Sequence, residues 1–160
     1  MLTRLLVRPG TNFSFTRRNS SEDFGCDKTV AKEETADLIA KIDALQFTLV
    51  DHKDVLINLH VHVSKDEQRV RLQSRVDDPT KRWKFRTGDL DDRKLWPQLM
   101  KADEVAFSET STENALLFVV PTDRKWVRDL CVARIVHDAL VRMNPVLLLD
   151  DPTIAGTVVV

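Results

Sequence analysis

The sequence predicts an α/β layer fold with few parallel strands, and three observations carry that reading. Residues 54–63, Asp-Val-Leu-Ile-Asn-Leu-His-Val-His-Val, alternate with the period of a strand. Residues 115–120, Ala-Leu-Leu-Phe-Val-Val, are apolar on both faces, as a buried parallel strand is. Helical patterns lie between and after them, giving the order strand–helix–helix–strand–helix. Two clear strands make a very small sheet, and that shortage bears on what the chain can do.

The elements follow in order. Residues 1–29 read as an irregular arm, interrupted by Pro9-Gly10, Asn19-Ser20-Ser21 and Phe24-Gly25. Residues 30–50 read as a helix with Leu38, Ile42, Leu45 and Leu49 on one face and Glu33-Glu34 in its first turn. In the strand at 54–63, Val55, Ile57, Leu59, Val61 and Val63 point one way, and Leu56, Asn58, His60 and His62 the other. Ser64 is placed to cap a charged helix over 65–76. Asp77-Asp78-Pro79 ends it, and Lys81-Arg82-Trp83-Lys84-Phe85-Arg86 forms a basic loop. Thr87-Gly88-Asp89 opens a further helix to about Glu109, which Pro97 is expected to kink or split. Thr122 or Asp123 is expected to cap the last helix, which Asn144-Pro145 stops after Met143. Residues 146–160 form a tail, so the expected domain body is 30–145.

The chain has 160 residues, enough for one domain, and its 24 basic and 25 acidic residues leave a net charge of −1 that names no partner. No apolar run is long enough to span a bilayer, and no membrane partner is expected. Arg4, Arg8, Arg17 and Arg18 stand in an acid-free start, a composition also found in transit peptides. Pro9-Gly10 breaks an amphipathic helix early, which favours an ordinary basic arm. Cys26 and Cys131 give neither a disulfide framework nor metal spacing, so a reducing cytoplasm is expected.

From residue 54 onward a series of short motifs recurs in fixed order. They are His62-Val63-Ser64-Lys65-Asp66-Glu67-Gln68, Arg71 and Arg75, Asp78-Pro79, Lys81-Arg82-Trp83-Lys84-Phe85, Asp89-Leu90 and Arg93-Lys94-Leu95-Trp96. Thr110-Ser111-Thr112 and Val120-Pro121-Thr122-Asp123-Arg124-Lys125-Trp126 complete the series. Earlier, Val7-Arg8-Pro9-Gly10, Phe24-Gly25 with Lys28, and Ala44-Leu45-Gln46 complement it. In these motifs the chain resembles the polyphosphate kinase 2 family on both sides of a gap. The resemblance implies an incomplete P-loop-kinase-like layer with a helical lid over about 65–110. It also implies phosphoryl transfer between polyphosphate and nucleoside mono- or diphosphates, with Mg2+.

That chemistry rests on positioning and charge neutralisation by a Gly-rich loop and its lysine. The only glycines are Gly10, Gly25, Gly88 and Gly156, and none belongs to a G-x-x-x-x-G-K pattern. The resemblance therefore implies an internal deletion. Leu49-Val50-Asp51-His52-Lys53 runs into a strand that normally follows the phosphate-loop block, and the family's magnesium-holding acids fall in the same missing block. No catalytic residue is assigned. Val146-Leu147-Leu148-Leu149-Asp150-Asp151 has the look of a strand ending in metal-binding acids, but the family places none there.

Seven basic residues and two acids lie between Arg69 and Arg86. Arg71 and Arg75 are four apart on one helix face and can line a single track, which Lys81, Lys84 and Arg86 extend. A solvated charged face is the plain alternative. The resemblance adds Arg93 at a lid-helix position and Lys125 at a basic position near the nucleotide, and marks all seven as polyphosphate or nucleotide contacts. His60 and His62 share a strand face where a metal could bind, although a structural role is favoured. Trp83, Trp96 and Trp126 are expected in core packing. The family pattern is broken at Pro97, Gln98, Leu99 and Asp103, at Ala115-Leu116-Leu117 and at Asp129.

Three functions follow. One is a phosphotransferase homologue that needs another chain's phosphate loop. A second is a non-catalytic remnant that binds polyanions or pairs with a full-length homologue. The third is an interaction module using its open sheet edge. An inactive homologue is expected of the chain alone, as a homo-oligomer or partnered, with no specific nucleic-acid ligand. Both strands are expected to leave unpaired edges and exposed apolar faces.

Overall fold

The structure, a computed structural model, describes residues 1–46, 56–111, 115–145 and 156, with backbone alone at 42–46 and 115. The expected tail, including Val146–Asp151, and the junction expected at Leu49–Lys53 lie outside the described residues.

Helix α1 (Leu2–Leu5) leads into strand β1 (Leu6–Val7). Helix α2 (Lys28–Gln46) precedes strand β2 (Leu56–His62). Helices α3 (Lys65–Asp77), α4 (Gly88–Lys94) and α5 (Trp96–Thr110) then lead to strand β3 (Ala115–Pro121) and helix α6 (Lys125–Met143). The described sheet has the order β1–β3–β2. β2 and β3 are parallel, from Leu56 opposite Ala115 to His62 opposite Pro121. β1 adds antiparallel, Leu6 opposite Phe118 and Val7 opposite Leu117.

The first twenty-nine residues, expected to be irregular, thus contain a helical turn and a sheet strand. Leu5 and Val7 are fully buried, and the Ser111 hydroxyl donates to the Val7 carbonyl at 2.6 Å. Two aliphatic side chains at the right spacing gain more by entering the core than the breakers around them cost.

On one face of the sheet Phe118 and Val120 pack with Leu5, Val127, Cys131 and Ile135 of α1 and α6. Beyond α6, Leu130 and Ala133 meet Ala31 and Leu38 of α2. On the other face Val7, Leu117 and Val119 pack against Phe13, Phe15 and Phe107. β3 is therefore buried on both faces, as its unbroken apolar run predicts. It is also flanked on both sides, so the open edge expected of it is limited to where two-residue β1 stops. Among the described strands β2 is the other edge.

On β2 the expected exposed apolar face is present, and the histidine face is the covered one. Leu59 and Val61 are 37% and 51% exposed. His60 and His62 are instead half-buried beneath aromatic rings: Phe15 stacks on His62 at 4.4 Å, and Phe107 meets His60 edge-on at 4.6 Å. Burial is the main cause that holds both imidazoles below their ordinary pKa, which keeps them neutral at physiological pH.

Local signals act where expected. Ser64 Oγ accepts from the Glu67 amide at 3.1 Å and caps α3. Pro97 stands in the first turn of α5, and the expected long helix is split at Leu95. Asn144 adopts a left-handed φ of 45° as the C-cap of α6. Two caps differ. α2 starts at Lys28, where Asp27 Oδ1 accepts from Thr29 and Val30 amides at 2.8 and 3.2 Å. Neither Thr122 nor Asp123 caps α6, because their side chains serve other partners. The Thr122 hydroxyl donates to the Val120 carbonyl.

Glu34, displaced from the first turn of α2, forms a bidentate pair with Arg134 of α6. Both side chains are about a third exposed, so the pair is worth about 1 kcal/mol after screening. Arg134→Ala is expected to lower stability by that amount. A double-mutant cycle with Glu34→Ala, read by urea unfolding, checks whether the pair carries it.

Candidate functional site

The C-terminal ends of parallel strands are where open α/β sheets bind ligands, because loops and helix starts diverge there. Here β2 and β3 end side by side at His62 and Pro121, and α3 leaves β2 directly. Asp123 ties this end together. Its Oδ1 accepts from the Ser64 amide at 2.8 Å, and its Oδ2 accepts from the Ser20 and Ser21 hydroxyls at 2.9 Å each. Burial alone would raise the Asp123 pKa; the hydrogen bonds from Ser64, Ser21 and Ser20 outweigh it and hold the carboxyl below its usual range.

Arg71 points inward from α3. Its Nε donates to Glu67 at 2.8 Å, and an Nη donates to the Thr122 carbonyl at 2.5 Å and more weakly to the Asp123 carbonyl at 3.3 Å. One turn on, Arg75 has no ion pair or hydrogen bond among the described residues. Both line a cleft of about 280 Å³ with Val63, Gln68, Asp89 and Asp92. The two arginines predicted to share a helix face do share one cavity. Arg71 is spent on the fold, whereas Arg75 has its guanidinium fork unengaged among the described residues. Asp89 and Asp92 put negative charge on the opposite wall.

Arg93 stands beside this cleft and is also engaged, donating to the Lys65 carbonyl at 3.0 Å and to Gln68 Oε1 at 2.5 Å. It latches α4 to the first turn of α3. Lys81, Lys84 and Arg86 do not line the cleft. They sit on an exposed loop folded back on α3, where Arg82 Nε donates to the Val76 carbonyl at 2.8 Å. Lys81 pairs with Asp78 at 2.5 Å and, with Thr80, pulls that carboxyl down to about 2. Lys84 lies 5.0 Å over the Trp83 ring, and Trp83 itself is 77% exposed rather than in the core. Trp126 packs against the core as expected. Lys125 is exposed in the first turn of α6, two residues beyond Asp123.

Sequence reasoning missed Asp123, Gln68 and Ser20 as members of this site. Asp123 carried a signal, an acid directly after a buried strand, but the same signal also describes a helix cap. The pairing with Ser20 spans 103 residues, and no local pattern reveals it.

No described group of three or more His, Cys, Asp or Glu side chains could hold a metal ion. Both carboxylate oxygens of Asp123 already accept hydrogen bonds. The described residues therefore do not fit a magnesium cage supplied by the protein, and no step is derived through one. Cys131 is fully buried, which pushes its thiol up to about 12 and removes it as a nucleophile. No helix among the described residues is long and apolar enough to cross a membrane.

Comparison with known proteins meets this geometry. An AMP/ADP-polyphosphate phosphotransferase of Meiothermus ruber is 48% identical over 92 residues, covering 58% of this chain and 34% of that protein. An uncharacterized protein of Leptolyngbya boryana is 33% identical over 115 residues, covering 72% of this chain and 82% of its own length. In structure, polyphosphate kinase 2 from Arthrobacter aurescens TC1 superimposes with a TM-score of 0.60 at 33% identity, over 75% of this chain and 41% of the other. The chain thus spans about a third of the Meiothermus phosphotransferase it matches. The family model for Polyphosphate kinase 2 matches residues 20–146, and the chain belongs to that family.

Proposed function

We propose that this chain holds polyphosphate at its lid, and that phosphoryl transfer to a nucleoside mono- or diphosphate needs a phosphate loop from another chain. The observation that carries the reading is the cleft between α3 and α4 beside the end of β2, where Arg71 is fixed to the Thr122 carbonyl and Arg75, next to it, has no ion pair or hydrogen bond among the described residues. A fixed arginine costs no reorganisation, and a free guanidinium fork suits phosphate oxygens. Lys81, Lys84 and Arg86 extend the positive surface along the exposed loop, while Lys125 serves the nucleotide end. The sequence supplies no Gly-rich loop to cradle the transferred group, so the chain alone positions a substrate without completing the reaction.

The test is a coupled assay for ATP formed from polyphosphate, ADP and Mg2+ by the purified chain, run beside a binding titration. Binding without turnover is expected, weakening steeply with salt. Arg75→Ala is expected to weaken binding by roughly fivefold, the worth of one exposed charge contact. Turnover at about 1 s⁻¹ or faster, ordinary for kinases, overturns the need for a second chain. Absence of polyphosphate binding overturns the reading itself.

A second reading, a partner module, is favoured by one observation. Among the described strands β2 is an edge, and its Leu56, Leu59 and Val61 are exposed. Such an edge pairs readily with another chain, either a second copy or a full-length homologue. A self-associated species by size-exclusion chromatography, or capture of a full-length homologue, supports it; a sharp monomer peak with a cooperative melt counts against it. Either reading takes the cytoplasm as the compartment, where nucleotides are available and thiols stay reduced.

A further inference from the structure

The N-terminal arm gathers four arginines that no part of the lid reading uses. Arg4, Arg8, Arg17 and Arg18 line one cleft of about 390 Å³, with Asn12 and Thr11 at its rim and no carboxylate in its lining. The arginines come from two segments that the fold holds together. Arg18 donates to the Leu6 carbonyl at 3.0 Å and lies 5.6 Å over the Phe13 ring. Ser14 and the Phe15 amide then donate to Glu104 of α5 at 2.8 and 2.7 Å.

The charges in this cleft are largely uncompensated. Arg4 pairs with Glu22 at 2.9 Å. Among the described residues, Arg8, Arg17 and Arg18 have no carboxylate partner. Burial, and then repulsion from Arg4, depress the Arg18 guanidinium below its ordinary value. Like charges held together without counter-charge are relieved by a bound anion, and arginine forks favour phosphate oxygens. A smaller cavity shares Arg4, Arg17 and Arg18 with this cleft and reaches His62 and Pro121, the last residues of β2 and β3. That is the sheet end from which the lid departs. Two residues after Arg18, Ser20 is bonded to the same Asp123 whose carbonyl Arg71 contacts.

We propose that the arm cleft is a second binding site for a linear phosphoanhydride chain, taking up a segment of the same polyphosphate whose other segment lies at the lid. The inference rests on the lid reading and extends it. Two linked contacts on one chain act together, since the second is made at the high effective concentration set by the first. Long polyphosphate, which can engage both sites at once, is therefore expected to be held more tightly than tripolyphosphate.

The test uses the full chain and the double variant Arg8→Ala/Arg17→Ala. Neither side chain makes a hydrogen bond or ion pair among the described residues, so the variant is expected to melt like the parent. Long-chain polyphosphate is expected to bind roughly 25-fold more weakly to it, as two exposed charge contacts are lost. The slope of log affinity against log salt should also fall by about 1 to 2. Tripolyphosphate binding at the lid should change far less. If Arg75→Ala weakens long-chain binding but the arm variant does not, the arm site is wrong and the lid reading stands. If neither variant matters, or the parent does not bind polyphosphate, both fail. Tighter binding of the parent to single-stranded nucleic acid or anionic vesicles than to polyphosphate, at equal phosphate concentration, also overturns the arm assignment.

Discussion

Replacing Asp123 with alanine is expected to destabilise the chain by about 2–3 kcal/mol, a fall of roughly 5–10 °C in Tm. The carboxylate accepts from the Ser64 amide at the start of α3 and from two hydroxyls of the arm. Ser20 is buried, so its hydroxyl would lose its partner without gaining water. The loss should be local as well as global. Trypsin is expected to cut after Arg17 and Arg18 faster in the variant, because the segment they precede is no longer tied to β3. Asp123→Asn keeps one acceptor oxygen and should fall between parent and alanine. A parent-like melt for Asp123→Ala would show that the three bonds add nothing to stability.

The same group sets a pH dependence. Asp123 titrates below its ordinary range when folded, as does Glu104, mainly through the Phe15 amide and then the Ser14 hydroxyl. A carboxyl whose folded pKa is depressed stabilises the fold fully above its unfolded value, near ~4. That contribution drains away as pH falls through the folded value. Arm release by acid is therefore expected below about pH 4, and Asp123→Asn should flatten that part of the stability profile.

Leu130→Ala is expected to cost about 3 kcal/mol, within the range of 2–5 for emptying a fully buried leucine site. Leu130 is 0% exposed and sits between α6 and α2 with Ala31, Leu38 and Ala133. Ala31 and Ala133 have few atoms with which to close the cavity, but Leu38, Met1 and Trp126 can relax toward it, which keeps the cost near the middle of that range. Against a typical total of about 5–15 kcal/mol, such a loss would take a large share of the stability. Leu99→Ala on exposed α5 is the control and should change stability by less than about 0.5 kcal/mol. Chemical denaturation of the pair with a shared slope checks both.

Much of the local architecture was written in short sequence signals. Ser64 before a charged run, Pro97 two residues after Leu95, and Asn144-Pro145 after an apolar helix each act within one turn of chain, and each acts as expected. The apolar run at 115–120 was sufficient to predict a central strand, because a segment apolar on both faces has nowhere else to go. The family, too, was legible from short motifs in fixed order.

What the sequence could not decide were choices made between distant segments. Whether residues 6 and 7 form a strand depends on an open edge of β3 more than a hundred residues later. Alternation assigned the residues of β2 to two faces without saying what arrives on either. Phe15 and Phe107 came to the histidine side, leaving Leu59 and Val61 exposed. Among the seven basic residues, the sequence assigned a shared chemistry. Only the tertiary structure separated Arg71 and Arg93, spent on carbonyl and amide oxygens, from Arg75, which lines the cleft with no partner among the described residues. The same holds for Asp123, a helix cap by local pattern and the tie between arm, lid and sheet in space. Local signals act through the bonded chain and are readable in order; burial and long-range hydrogen bonding are settled by which surfaces meet when the chain closes on itself.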